Sequence, residues 1–180
     1  MNKRNRPALG FLLMGIGLAG RALLAVPETV SVPELSMTVI SLLGFLLLAA
    51  FVPMACTMGQ LVLELILCST QAETGGVWLW LTPVLRQADL WLLVAACCLG
   101  LFAAKQRMEA ETFAAKTVWP PRLSLLLLGA QTLAMAAAKW MPANPTLALA
   151  ATVLFVAFSV SLLWFTVLFL QCYNALRIKK

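Results

Sequence analysis

From Pro7 onward the chain alternates long apolar runs with short polar breaks. The strongest runs are Pro7 to Val26, Leu35 to Cys56, Leu90 to Ala104, Leu123 to Trp140 and Thr146 to Tyr173, and a weaker sixth, Thr57 to Ala72, carries Glu64 in its middle. A hydrocarbon core ~30 Å thick takes roughly 20 apolar residues per helical crossing, so a chain of this length has room for about six spans and little else. Backbone groups in lipid must be satisfied internally, which leaves helices or a closed barrel. Barrel strands alternate apolar and polar residues, and runs such as Leu123 to Ala138 do not. The pattern therefore predicts an all-α polytopic helical membrane protein, about six transmembrane helices forming a single domain over residues 1–180.

Charge decides how those runs are threaded. Among 180 residues, 62% are hydrophobic and 11% charged, with 13 Lys and Arg against 7 Asp and Glu and no histidine. Lys3, Arg4 and Arg6, then Lys105, Arg107, Lys116 and Arg122, then Arg177, Lys179 and Lys180 form three basic groups, while the break from Pro27 to Pro33 has no basic residue. Positive residues collect on the cytoplasmic side. The expectation is a multi-pass protein of the plasma (inner) membrane with both termini and the Lys105 to Arg122 loop in the cytoplasm. That parity needs the Glu64 segment to cross, or to dip and return. The competing arrangement has five spans, with one long helix from Leu35 to about Gln71 kinked at Pro53 and projecting beyond the membrane.

The basic start followed by Phe11 to Gly20 resembles a secretory leader. Arg21 interrupts the apolar stretch, however, and no clean pair of small residues precedes Pro27, so a retained first span is expected. No soluble basic face interleaved with aromatics exists, which argues against nucleic acid as a partner.

Small residues predict the packing. Ala8, Gly15, Ala19 and Ala22 share one face of the first span, and Gly10, Gly17 and Arg21 the opposite one, so this helix is expected between two neighbours. The same logic places Ala130, Ala134 and Ala137 of the Leu123 to Trp140 run against other helices. Pro7, Leu9, Leu12, Leu13 and Gly15 align with Pro121, Leu123, Leu126, Leu127 and Gly129, a faint echo between the first and last hairpins. Trp78, Trp80 and Trp91 read as an aromatic belt lying along the outer interface. Lys105 to Trp119 reads as a cytoplasmic helical extension or an interfacial helix.

Glu64 is the candidate of greatest interest, because a carboxylate mid-span costs roughly 2.5 kcal/mol or more on insertion scales and needs a partner. Arg21 can supply it if the two helices touch, and Gln60, one turn earlier, can share a polar cavity. Such a site would bind a proton, a cation or a substrate's positive group; if Glu64 instead ends a projecting helix, it is simply solvated. Arg86 and Asp89, three residues apart, are expected to form an interfacial ion pair. Lys139 can snorkel, Gln131 can bond a neighbouring helix, and Phe158, Leu162, Phe165 and Phe169 share a face that meets lipid or core.

The five cysteines form no Cys-x-x-Cys pair and read as small apolar filler. Without histidine, paired intramembrane acids or a nucleotide fingerprint, no catalytic residue, metal site or cofactor is expected, and the chain is not read as an enzyme. The expected function is that of a small integral membrane protein acting as a transporter, or as the membrane-embedded substrate-binding subunit of a transport complex, for a small-molecule or ion substrate. The alternative is a non-enzymatic structural or regulatory subunit. Expected partners are the lipid bilayer and other membrane-protein subunits or a second copy of the chain.

Overall fold

A computed structural model describes residues 5–25, 29–70, 76–107 and 117–178, and among these residues the chain is all-helical, with no strand. Six helices follow one another: α1 (Asn5–Leu24), α2 (Val32–Leu47), α3 (Phe51–Thr70), α4 (Trp78–Arg107), α5 (Trp119–Trp140) and α6 (Pro145–Ile178). Five of them are long and apolar enough to cross a membrane. The exception is α2, whose 16 residues rise only about 24 Å at 1.5 Å each.

Local chemistry sets the boundaries. Ser31 caps α2, its hydroxyl accepting the Glu34 backbone N–H at 3.3 Å, and Pro33 sits in the first turn, where its missing N–H is harmless. The helix ends at Ala49, which adopts a left-handed φ of 50° that residues other than glycine seldom accept. Two backbone bonds seal this turn, Leu48 N–H to Gly44 O and Ala50 N–H to Phe45 O, both 3.1 Å. The long helix kinked at Pro53 is thus not formed: the chain reverses a turn earlier, and Pro53 occupies the first turn of α3. At the other end of the molecule, Asn144 Oδ1 accepts the Thr146 N–H at 3.1 Å and starts α6.

Successive helices run antiparallel. Gly10 of α1 lies against Gly44 and Leu48, whereas Gly20 lies against Met37. Thr38 of α2 meets Glu64 of α3, and Val30, just ahead of α2, meets Cys68. Near the start of α4, Gln87 accepts a hydrogen bond from Thr132 late in α5, and Ser124 of α5 bonds Ser161 of α6. The start of α1 and the end of α6 therefore lie at one end of the bundle.

As the small-residue faces predict, α1 is sandwiched. Toward α2, a Cβ on Gly17 would stand 2.2 Å from Ser41 Oγ and 2.6 Å from the Met37 carbonyl oxygen; on the other side, Gly15 faces Leu170 and Thr166 of α6. The backbones approach this closely only because side chains are missing there. Phe11, Met14, Phe45, Cys97, Phe158, Leu162, Phe165 and Phe169 belong to one apolar core shared by α1, α2, α4 and α6.

Two expectations are corrected. Val77 to Trp91 is not a separate segment between helices; from Trp78 it is the first half of the 30-residue α4. The alanine stripe of α5 does not mark a central helix either. Only 17% of its apolar window is buried, against 50% for α4, because its leucine-rich face points outward and Gly129 has nothing within 4 Å of its Cβ position.

Candidate functional site

Within about three turns of the α1–α2 and α3–α4 connections, four helices each contribute charge to the interior. Arg21 comes from the last turn of α1, Glu34 from the first turn of α2, Glu64 from the last third of α3, and Arg86 and Asp89 from the first half of α4. All five side chains are at most 1% exposed.

Four of them form a closed ring. Glu34 Oε1 accepts from Arg86 Nη2 at 2.7 Å and Arg21 Nη2 at 3.4 Å, while Asp89 Oδ2 accepts from Arg86 Nη1 at 2.8 Å and Arg21 Nη2 at 2.9 Å. Two cations and two anions alternate, so the ring is electrically balanced. Glu64 is attached outside it. Its Oε1 accepts from Arg21 Nη1 and from the Thr38 hydroxyl at 2.8 Å, and Arg21 Nη1 also donates to Thr38 Oγ1 at 2.6 Å. Gln60, on the Glu64 face of α3, donates to the Asp89 backbone oxygen at 3.4 Å and to Oδ1 at 3.5 Å.

Among the described residues the assembly holds three carboxylates and two guanidiniums. Buried charge is tolerated when paired and heavily penalised when not, so the fifth charge is the informative one. Glu34 Oε2 and Glu64 Oε2, both buried, have no hydrogen-bond partner among the described residues. Oxygens of Glu34, Glu64 and Asp89 come within 4.8 Å of one another. A divalent metal does not suit this arrangement, because guanidinium N–H groups already occupy one oxygen of each carboxylate and would repel it.

On the deep side of the cluster lies a cavity of about 20 Å³, lined by Arg21, Thr38, Ser41, Thr57 and Gln60 on its polar side and by Met14, Phe45 and Phe169 on its apolar side. That volume admits about one water molecule. No organic substrate fits it. The same Phe45, Met14 and Phe169 converge on Gly100, where an added Cβ would lie 2.8, 2.9 and 3.3 Å from them.

The structure thus joins the five candidate-site residues Glu64, Arg21, Gln60, Arg86 and Asp89 in one cluster. Arg21 pairs with Glu64, and Gln60 reaches the same cluster. Arg86 and Asp89 do pair, but the pair is corrected from interfacial to fully buried and shared with two other helices. Glu34 and Thr38 went unrecognised. Glu34 stands beside a helix start, where a Ser-x-x-Glu spacing explains it locally as a capping residue; the only signal against that reading was an acid at the head of an apolar run with no nearby base. Gln131, expected to bond a neighbour, is fully buried with neither amide atom partnered among the described residues. Lys139 lies over the Trp80 ring, 5.5 Å from its centroid, joining the ends of α4 and α5.

No protein-family model matches this chain, and no curated protein or solved structure matches it. The functional reading rests on the site alone.

Proposed function

We propose that this protein is a transport protein of the plasma membrane, working alone or as the membrane-embedded subunit of a larger system, with both termini cytoplasmic and the α1–α4 charge cluster as its ion-coupling site. The observation that carries the reading is the excess, among the described residues, of one carboxylate in a dry, five-charge cluster beside a water-sized, mainly apolar cavity edged by Arg21, Thr38 and Gln60. A charge kept inside a membrane at such cost is a functional group by default. A cluster linking four helices also suits a site that changes helix packing when its charge changes. The basic groups at both ends and in the α4–α5 connection support the orientation.

The test is purified protein in liposomes that enclose a pH-sensitive dye, with a potassium diffusion potential imposed across the bilayer. Protein-dependent proton movement that Arg21→Gln abolishes supports the reading; folded protein that moves no protons overturns it. A second reading, a structural subunit, is favoured by the four inter-helix ion pairs that tie four helices together. It predicts inert liposomes and intact assembly with a neighbouring membrane protein that Arg21→Gln disrupts.

A further inference from the structure

The charge cluster also specifies what it binds. We propose that Glu64 is a reversible proton-binding site that takes one proton per chain from water. This deepens the transport reading, in that it rests on the cluster as the working site and names the exchanged species.

Three observations converge on Glu64. The Arg21–Glu34–Arg86–Asp89 ring is already balanced, and both of its acidic members accept from two guanidiniums, whereas Glu64 accepts from one guanidinium, Arg21, and the neutral Thr38 hydroxyl. Glu64 Oε2 is buried with no partner among the described residues, so an ionised carboxylate there carries an unsolvated oxygen. A neutral carboxyl is far cheaper to bury. Thirdly, a small cavity with a polar edge begins at Thr38 and Gln60, which flank Glu64, and reaches Thr57, about 4.5 Å further along α3 at 1.5 Å per residue. It offers room for the one water needed to deliver or accept a proton.

Among the described residues the groups facing Glu64 are Arg21 from α1, Glu34 and Thr38 from α2, Cys68 one turn on in α3, and Asp89, with Arg86 behind it, from α4. Of these, two acids and one base act on it at closest range, so a proton removes a repulsion as well as an excess charge. A metal cation is the poorer occupant. Sodium or potassium requires a shell of free oxygens, and here each carboxylate has one oxygen taken by guanidinium donors. When Oε2 gains the proton, the cluster becomes neutral and the Arg21 Nη1–Glu64 Oε1 bond loses its ionic component. Bond strength between α1 and α3 is then linked to proton occupancy.

Infrared difference spectroscopy of the full chain in lipid tests this directly, because a dry protonated carboxyl has a resolved C=O stretch. The expected result is a band that disappears from mildly acid to mildly alkaline pH, shifts in protein made with carboxyl-¹³C glutamate, and is unmoved by ¹³C aspartate. Glu64→Gln should remove it, and Glu64→Asp should transfer the isotope sensitivity from glutamate to aspartate. A band still sensitive to the glutamate label in Glu64→Asp, no titrating band in the unmodified chain, or loss of the band on replacing choline by sodium or potassium at fixed pH would each overturn the proposal. Proton binding with inert liposomes would leave this inference standing and remove the transport reading; proton flux without the Glu64 band would do the reverse.

Discussion

An ordinary buried salt bridge is damaged equally by removing either partner, but the Arg21–Glu64 pair should be strongly asymmetric. Replacing Arg21 with Met removes one of two guanidiniums that serve three carboxylates, and leaves Glu64 with the Thr38 hydroxyl alone. Breaking a buried pair in this way costs about 3–5 kcal/mol. Replacing Glu64 with Gln does the opposite to the charge count: the Arg21–Glu34–Arg86–Asp89 ring stays whole and the excess carboxylate disappears. The amide can still accept from Arg21 and Thr38, so the loss of charge assistance, about 1 kcal/mol, is offset by removal of the uncompensated group. Net stability should stay within about 1 kcal/mol of the parent. Equilibrium unfolding in mixed detergent micelles, followed by helical circular dichroism for the three proteins at one pH, measures both changes. If Glu64→Gln loses as much stability as Arg21→Met, the balanced ring is not the unit that holds this cluster, and the reasoning built on an excess charge fails.

Other expectations follow from packing and orientation. Gly17→Ala places a methyl 2.6 Å from the Met37 carbonyl oxygen and should destabilise by about 1–3 kcal/mol through separation of α1 from α2. By contrast, Gly129→Ala, with no atom within 4 Å, should be neutral or stabilising by up to about 1 kcal/mol; the same unfolding assay compares the two. Gln131→Leu should stabilise by roughly 1–3 kcal/mol, since a buried amide with no partner among the described residues is replaced by an apolar group of similar size; a loss of stability would reveal an amide contact. In a variant with its native cysteines replaced, Asn5→Cys and Arg177→Cys should react with an impermeant maleimide from the same side of the membrane, and Thr146→Cys from the other; opposed reactivity of the two ends would refute the bundle topology.

The run-and-break pattern was enough to give the helical class, because the bilayer demands internally bonded segments of a set length and the chain has no other composition to offer. It also revealed the two-sided packing of α1, since glycines spaced on opposite faces have few other uses in a span. Boundaries were less legible. The end of α2 depends on a left-handed alanine, and no residue type announces that conformation at Ala49. Pro53, the obvious punctuation, starts a helix instead of bending one.

For the site, sequence alone determined that Glu64 and Arg21 could not be buried singly, because the solvation cost of a lone charge is fixed by the residue and the medium. It could not determine that Glu34, Arg86 and Asp89 join them. Pair energies depend on distance and orientation, which here bring together residues up to 68 positions apart in the chain, and only the four-helix arrangement makes them neighbours. That arrangement makes of two pairs one cluster with, among the described residues, an odd number of charges, and the odd charge is the property on which the proposed function rests.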